Sequence, residues 1–183
     1  MLIRVNEKQY QQIYKEMIDK NYKEDKYYMV VKEPICIHES NQKNYDQEYC
    51  KENNIMILHN ERPGGTIVTW KGDVGVIYMQ DTNKVPIEIE RLLHYLIAEK
   101  KLNASLAGTH ENFGRDVMID NKYKVAAYVN TIYEDRVFTA MHFSVSVDVD
   151  LIKRICTKPM VKIPKGLSEY GITTEDILKI IKR

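Results

Sequence analysis

From Val137 to Val147 the chain reads as an extended strand, and at its end Phe143, Val145 and Val147 alternate with Ser144, Ser146 and Asp148. Successive strand side chains point to opposite faces, so a period of two commits this stretch to a sheet that is covered on one side. The same texture recurs along the chain. Tyr27 to Lys32 and Ile35 to His38 read as β segments separated by Glu33-Pro34, because proline gives a ladder no N–H donor. Ile55 to Leu58 is a continuous apolar run, the pattern of a buried strand. Ile67 to Trp70 and Val74 to Met79 read as paired strands around Lys71-Gly72-Asp73, and Asp116 to Ile119 precedes Tyr123 to Val129 across a turn at Asp120-Asn121.

Helices are fewer and set apart from these runs. Tyr10, Ile13, Tyr14, Met17 and Ile18 share one face of a helix expected over Glu7 to Lys20. A second begins near Pro86, whose fixed φ suits a first turn, and lines Ile89, Leu92, Leu93, Leu96 and Ile97 along one face. The polar stretch Asn41 to Asn54 carries a short helix. Two more close the chain, one after Asp150 and one from Thr174 to Lys182 with Thr173 and Asp176 as its cap, joined by a linker from Pro159 to Gly166. Strand runs interrupted by segregated helices indicate an α+β fold, a mixed and largely antiparallel sheet with flanking helices, rather than a doubly wound one.

At 183 residues, 44% hydrophobic and 29% charged, the chain has the size of one domain, expected to span 1–183 with no C-terminal accessory domain. Lys and Arg total 27 against 26 Asp and Glu, so no whole-chain field favours nucleic acid or an anionic membrane. Any anion site must be local. The opening Met1-Leu2-Ile3-Arg4-Val5 passes at once into polar sequence, and neither a signal peptide nor a membrane span is expected, which points to the cytoplasm. Cys36, Cys50 and Cys156 are scattered and form no CxxC pair, which argues against a disulfide framework or a structural zinc.

Three short segments carry the chemistry. In His59-Asn60-Glu61-Arg62-Pro63-Gly64-Gly65-Thr66, two glycines between strands let backbone pass close to a ligand, and Arg62 offers a forked donor to a carboxylate or phosphate. The spacing is neither a Walker A motif nor a dinucleotide fingerprint. Lys124 stands before Val125-Ala126-Ala127, where a lysine on a strand above a pocket can stabilise charge developing on a carbonyl or phosphate. Asp116 precedes it in Gly114-Arg115-Asp116-Val117. His142 leads the third segment, into Asp150-Leu151. A lone strand histidine is more often a hydrogen-bonded structural group than a catalyst.

Taken in this order, the segments resemble the lipoate-protein ligase and octanoyltransferase family, within the biotin and lipoate protein ligase superfamily, over residues 28 to 183. Arg62, Gly64, Gly65 and Val68 match the family's arginine and glycine run, with Thr66 where a third glycine is usual and Trp70-Lys71 where His-Asp is usual. Pro34 to His38 followed by Asn41-Gln42 is similar to its first strand and Asn-Gln segment. The resemblance implies ATP-dependent activation of lipoate or octanoate to an acyl-AMP, then transfer to a lysine of an acceptor domain. On that likeness Lys124 is the catalytic residue, Arg62, Gly64, Gly65, Thr66, Lys124, Ala126 and His142 bind substrate and nucleotide, and Asp116 serves Mg²⁺. Two alternatives stay open: an ATP-independent octanoyl or lipoyl transferase acting through a cysteine, and a non-catalytic acyl- or nucleotide-binding relative. Cys156 follows His142 and Asp150-Leu151 as a transferase cysteine would, yet arrives early and is read as a small buried hydrophobe.

Overall fold

The computed structural model describes residues 1–18, 26–39, 44–60, 67–108, 115–133, 135–160 and 162–183. Its larger sheet runs in the order β1 (Leu2–Val5), β2 (Tyr27–Val31), β6 (Val74–Gln80), β10 (Arg136–Phe143), β9 (Tyr123–Tyr133), β8 (Arg115–Ile119) and β7 (Ala104–Ala107). A short β11 (Ile163–Pro164) lies parallel to the start of β9. The pair β1 and β2 is also parallel, and the remaining neighbours of this sheet are antiparallel. A smaller sheet has the order β4 (Ile57–Asn60), β3 (Ile35–Glu39) and β5 (Ile67–Thr69). The mixed, largely antiparallel α+β arrangement is the one expected.

Both faces of the large sheet are covered, which is why its central strands are buried so completely. On one face, α1 (Glu7–Ile18) sets the Tyr14 ring 6.2 Å from that of Phe138 on β10, and Tyr10, Ile13 and Met17 are buried with it. On the other, α3 (Ile87–His94) packs against α5 (Thr174–Ile181). There the fully buried Glu88 accepts hydrogen bonds from the Tyr78 and Tyr28 hydroxyls, at 3.3 and 3.4 Å, and from Lys26 Nζ at 2.5 Å. A buried carboxylate requires such partners, and the lysine and two phenols supply them. Burial and the neighbouring Glu88 charge push the Tyr28 hydroxyl up to about 12.

Local chemistry explains the junctions. Asp120 and Asn121 have φ of 54° and 50°, the left-handed pair demanded by the tight hairpin between β8 and β9. Thr173 caps α5 by accepting from the Asp176 N–H at 3.2 Å, while Asp176 accepts from the Thr173 N–H at 3.0 Å. The remaining helices are α2 (Gln47–Glu52) and α4 (Val149–Ile155), both lying over the small sheet's side of the molecule with Cys50, Ile155, Ile57 and Val68.

Several expectations are corrected by tertiary structure. The strand through Val147 stops at Phe143: the Ser144 N–H still reaches the opposite Val125 carbonyl of β9, but the Val145 N–H turns to the Asp73 carboxylate. Strands β5 and β6 do not pair with each other: the Trp70 to Asp73 turn carries the chain from the small sheet to the large one. Ile55-Met56 precedes β4 rather than belonging to it, and Met56 is 45% exposed. Of the face expected for the helix near Pro86, Ile89, Leu92 and Leu96 are fully buried, but Ile97, in the π-helical turn Tyr95–Glu99, is 50% exposed. Among the described residues, no helix is long and apolar enough to cross a membrane.

Candidate active site

One row of the large sheet organises the site. Gly75 of β6 lies opposite His142 of β10, His142 opposite Ala127 of β9, and Ala127 opposite Asp116 of β8. Directly opposed residues of antiparallel strands share a face, so His142 and Asp116 project from the same side with only the methyl of Ala127 between them. Two strand spacings separate their backbones by about 10 Å. A small residue at the middle of such a row leaves a shelf on which a ligand can lie.

Lys124 reaches this shelf through a β-bulge. Val117 pairs with Ala126 and the next residue, Met118, with Lys124, which leaves Val125 as the extra residue of β9. Without the bulge Lys124 would share the face of Ala126, which is 1% exposed in the core opposite Val117 and Phe143. With it, the alternation slips by one and the side chain is re-aimed. Its Nζ lies 2.8 Å from Asp116 Oδ1.

Asp116 has a second cation. Lys162 Nζ donates to Oδ2 at 2.5 Å, so each carboxylate oxygen holds one ammonium. Burial alone would raise the Asp116 carboxyl, but Lys124 and Lys162 outweigh it and hold the group below the ordinary carboxylate value. Lys162 belongs to the segment read from sequence as a linker. Its neighbour Lys165 is not a third free cation: that ammonium sits over the Tyr123 and Tyr170 rings, at 4.6 and 4.9 Å, and pairs with Glu169.

His142 is engaged from below. Its Nε2 lies 2.8 Å from Asp73 Oδ2, which also accepts from the Trp70 N–H at 2.9 Å, while Oδ1 accepts from the Val145 N–H at 2.7 Å. A carboxylate only accepts, so Nε2 carries the hydrogen and Nδ1 remains as the ring's other polar atom. Asp73 is completely buried and ties together the exit of β5, the start of β6 and the end of β10. Sequence reading treated it as a turn residue. Its signal was there, an aspartate closing a Lys-Gly-Asp turn, but its three donors come from 3 to 72 residues away.

The structure thus brings Asp116, Lys124 and His142 to one face and sets Ala126 on the other, with Ala127 taking the position on the shelf. Arg62, Gly64, Gly65 and Thr66 lie outside the described residues, as do Gly114, Asn41 and Gln42; the flanking β4 and β5 end at Asn60 and begin at Ile67. Cys156 caps the C-terminus of α4, and burial pushes its thiol up. A cavity of about 330 Å³ lined by Met56, Val68, Trp70 and Leu151 lies elsewhere, and none of Asp116, Lys124 and His142 lines it.

Two ammoniums beside one carboxylate form a donor set suited to a phosphorylated substrate. Among the described residues no group of three or more His, Cys, Asp and Glu side chains could hold a metal ion. Both Asp116 oxygens hold ammoniums, so this carboxylate would take Mg²⁺ only once a lysine turned to substrate phosphates, as the single protein ligand usual for that ion.

No protein-family model matches this sequence, and no curated protein matches it. Solved structures do. A lipoate-protein ligase A bound with ATP aligns over 99% of this chain and 80% of its own, with 15% identity and a TM-score of 0.75. A Thermoplasma acidophilum protein with bound lipoic acid aligns over 100% and 82%, with 14% identity and a TM-score of 0.74. The chain has the lipoate-protein ligase fold. P. falciparum LipL1 in complex with lipoate shares that fold at 13% identity and a TM-score of 0.71, over 98% of this chain and 57% of its own, so the chain spans little more than half of that relative.

Proposed function

We propose that this protein is a divergent lipoate-protein ligase-like enzyme that activates lipoate or octanoate with ATP and transfers the acyl group to a lysine of an acceptor protein domain. The observation that carries the reading is the Lys124, Asp116 and Lys162 cluster, set beside the Ala127 shelf in a fold shared with a ligase bound to ATP and with proteins bound to lipoate. In the first half-reaction an oxygen of the fatty-acid carboxylate attacks the α-phosphorus. The bond to the β-phosphate breaks, and pyrophosphate leaves with its electron pair. Lys124 stabilises the charge that gathers between acyl carbonyl and phosphate. Arg62, Gly64, Gly65 and Thr66, which lie outside the described residues, are assigned to binding the acyl and phosphate groups. Mg²⁺, when bound beside Asp116, supplies further neutralisation of the phosphates.

In the second half-reaction the acceptor amine attacks the acyl carbon, AMP departs and the amine loses a proton. His142, held by Asp73 through Nε2, is assigned to orienting substrate. A cysteine-dependent transferase finds less support among the described side chains, where burial raises both the Cys156 and Cys50 thiols and disfavours the nucleophilic thiolate. A relative that binds without turnover is favoured by Trp70-Lys71, which departs from the pattern usual in the family, with Trp70 buried.

The test is an acylation assay with octanoate or lipoate, ATP and an apo acceptor domain, read by the mass of the acceptor. ATP-dependent acylation is expected. Transfer only from an acyl carrier would establish the transferase instead, and ligand binding without turnover would establish the binder.

A further inference from the structure

Lys162 is placed as firmly as Lys124, although it lies in a segment with almost no regular structure. The Lys165 N–H donates to the Lys124 carbonyl at 2.9 Å and the Leu167 N–H to the Ser144 carbonyl at 2.8 Å. Between them, Gly166 lies so close to β10's exit that a Cβ there would stand 2.5 Å from the Val145 carbonyl oxygen. Only glycine permits that approach. The segment is therefore pinned to β9, and Lys162 with it.

The order along β9 gives this cation its own station. Ala127 and His142 form the shelf, Lys124 lies three positions back along β9, and β11 runs parallel with Ile163 level with Tyr123. Lys162 is thus level with Lys122, farther from the shelf than Lys124. The two backbones are set apart along the strand while their ammoniums converge on the two oxygens of Asp116, side by side as neighbouring phosphates of one substrate would need them. Adenylation needs charge stabilised in two places, on the α-phosphate that stays with the acyl group and on the pyrophosphate that leaves. One ammonium cannot cover both.

We propose that Lys162 is the residue that binds the β- and γ-phosphates and neutralises the departing pyrophosphate, while Lys124 serves the acyl carbonyl and α-phosphate in both half-reactions. The assignment rests on the ligase reading above. Asp116 is then the counter-ion that keeps the two ammoniums side by side before the triphosphate arrives, both of its oxygens being occupied.

The roles separate by half-reaction and by ligand. Calorimetric titration with inorganic pyrophosphate and with AMP is compared for the wild type, Lys162→Gln, Lys162→Arg and Lys124→Ala, alongside octanoate-dependent exchange of labelled pyrophosphate into ATP and transfer from preformed octanoyl-AMP. Lys162→Gln is expected to weaken pyrophosphate binding and slow exchange by about 10- to 100-fold, the range of one charge-assisted contact. AMP binding and transfer from octanoyl-AMP should stay within about twofold, the spread of a surface change. Lys162→Arg should recover most of the exchange, which controls for folding, and Lys124→Ala should lose both half-reactions. Equal loss of both half-reactions in Lys162→Gln, or unaltered pyrophosphate binding, would overturn the proposal. A wild type that catalyses neither exchange nor transfer overturns the ligase reading itself, and the assignment of Lys162 with it.

Discussion

Replacing Asp73 by asparagine tests whether this buried carboxylate is the joint between the two sheets. Its oxygens accept from three donors, Trp70 N–H at 2.9 Å, His142 Nε2 at 2.8 Å and Val145 N–H at 2.7 Å. Asparagine has nearly the same shape but only one accepting atom. With its oxygen toward Val145, the amide nitrogen faces the Trp70 N–H and leaves that donor orphaned; His142 can adapt by changing tautomer. With the oxygen toward Trp70 and His142, the Val145 N–H is orphaned instead. Either orientation strands one buried backbone donor and part of the new NH₂ group, each at about 1–3 kcal/mol. The sum is a destabilisation of about 2–4 kcal/mol, or a fall in Tm of roughly 5–15 °C for a chain of this size. Urea unfolding followed by circular dichroism measures it, with an unchanged m-value as the sign that the native state is still compact. A loss below about 1 kcal/mol, less than a single orphaned donor costs, would refute the hub.

Lys124→Ala should abolish acyl transfer, by about 100-fold or more for loss of a charged stabiliser of the transition state, while the unfolding midpoint shifts little; unaltered turnover would remove its assigned role. Cys156→Ser should leave ATP-dependent acylation intact, and complete loss of activity would point to a covalent thioester. Asp116 has a folded pKa below its unfolded one, so its contribution is present above the ordinary carboxylate value near 4 and is lost as pH falls through the folded value. Acid titrations of stability should therefore show a steeper fall below about pH 4 for the wild type than for Asp116→Asn, and superimposable curves would contradict the double lysine pairing.

Strands and helices were legible wherever a local period was enough. The helix near Glu7, the β8 to β9 hairpin with its Asp120-Asn121 turn and the Thr173 cap all depend on residues within one or two turns of each other, and all formed. Tertiary context took over where one residue had two possible partners. Val145 continues an alternating pattern, yet its N–H is claimed by Asp73, 72 residues away, and the strand ends. Ile97 stands at the edge of its helical face, and packing against the sheet covers Leu96 while leaving Ile97 half exposed.

The site divides in the same way. Lys124, Asp116 and His142 could be nominated from the residue types and their order, because chemistry restricts which side chains can carry charge or hold a phosphate. Their faces could not be read. Register with β8 and β10 sets Ala127 rather than Ala126 on the shelf, and a single extra residue at Val125 inverts the orientation of what precedes it on β9 and brings Lys124 to Asp116. Lys162 owes its place to backbone contacts made by the segment around Gly166 with β9 and the exit of β10. By itself the sequence settled composition, local periodicity and the menu of reactive groups. Which groups meet was decided by strand register and by hydrogen bonds between distant segments, which cannot form until the sheets have assembled.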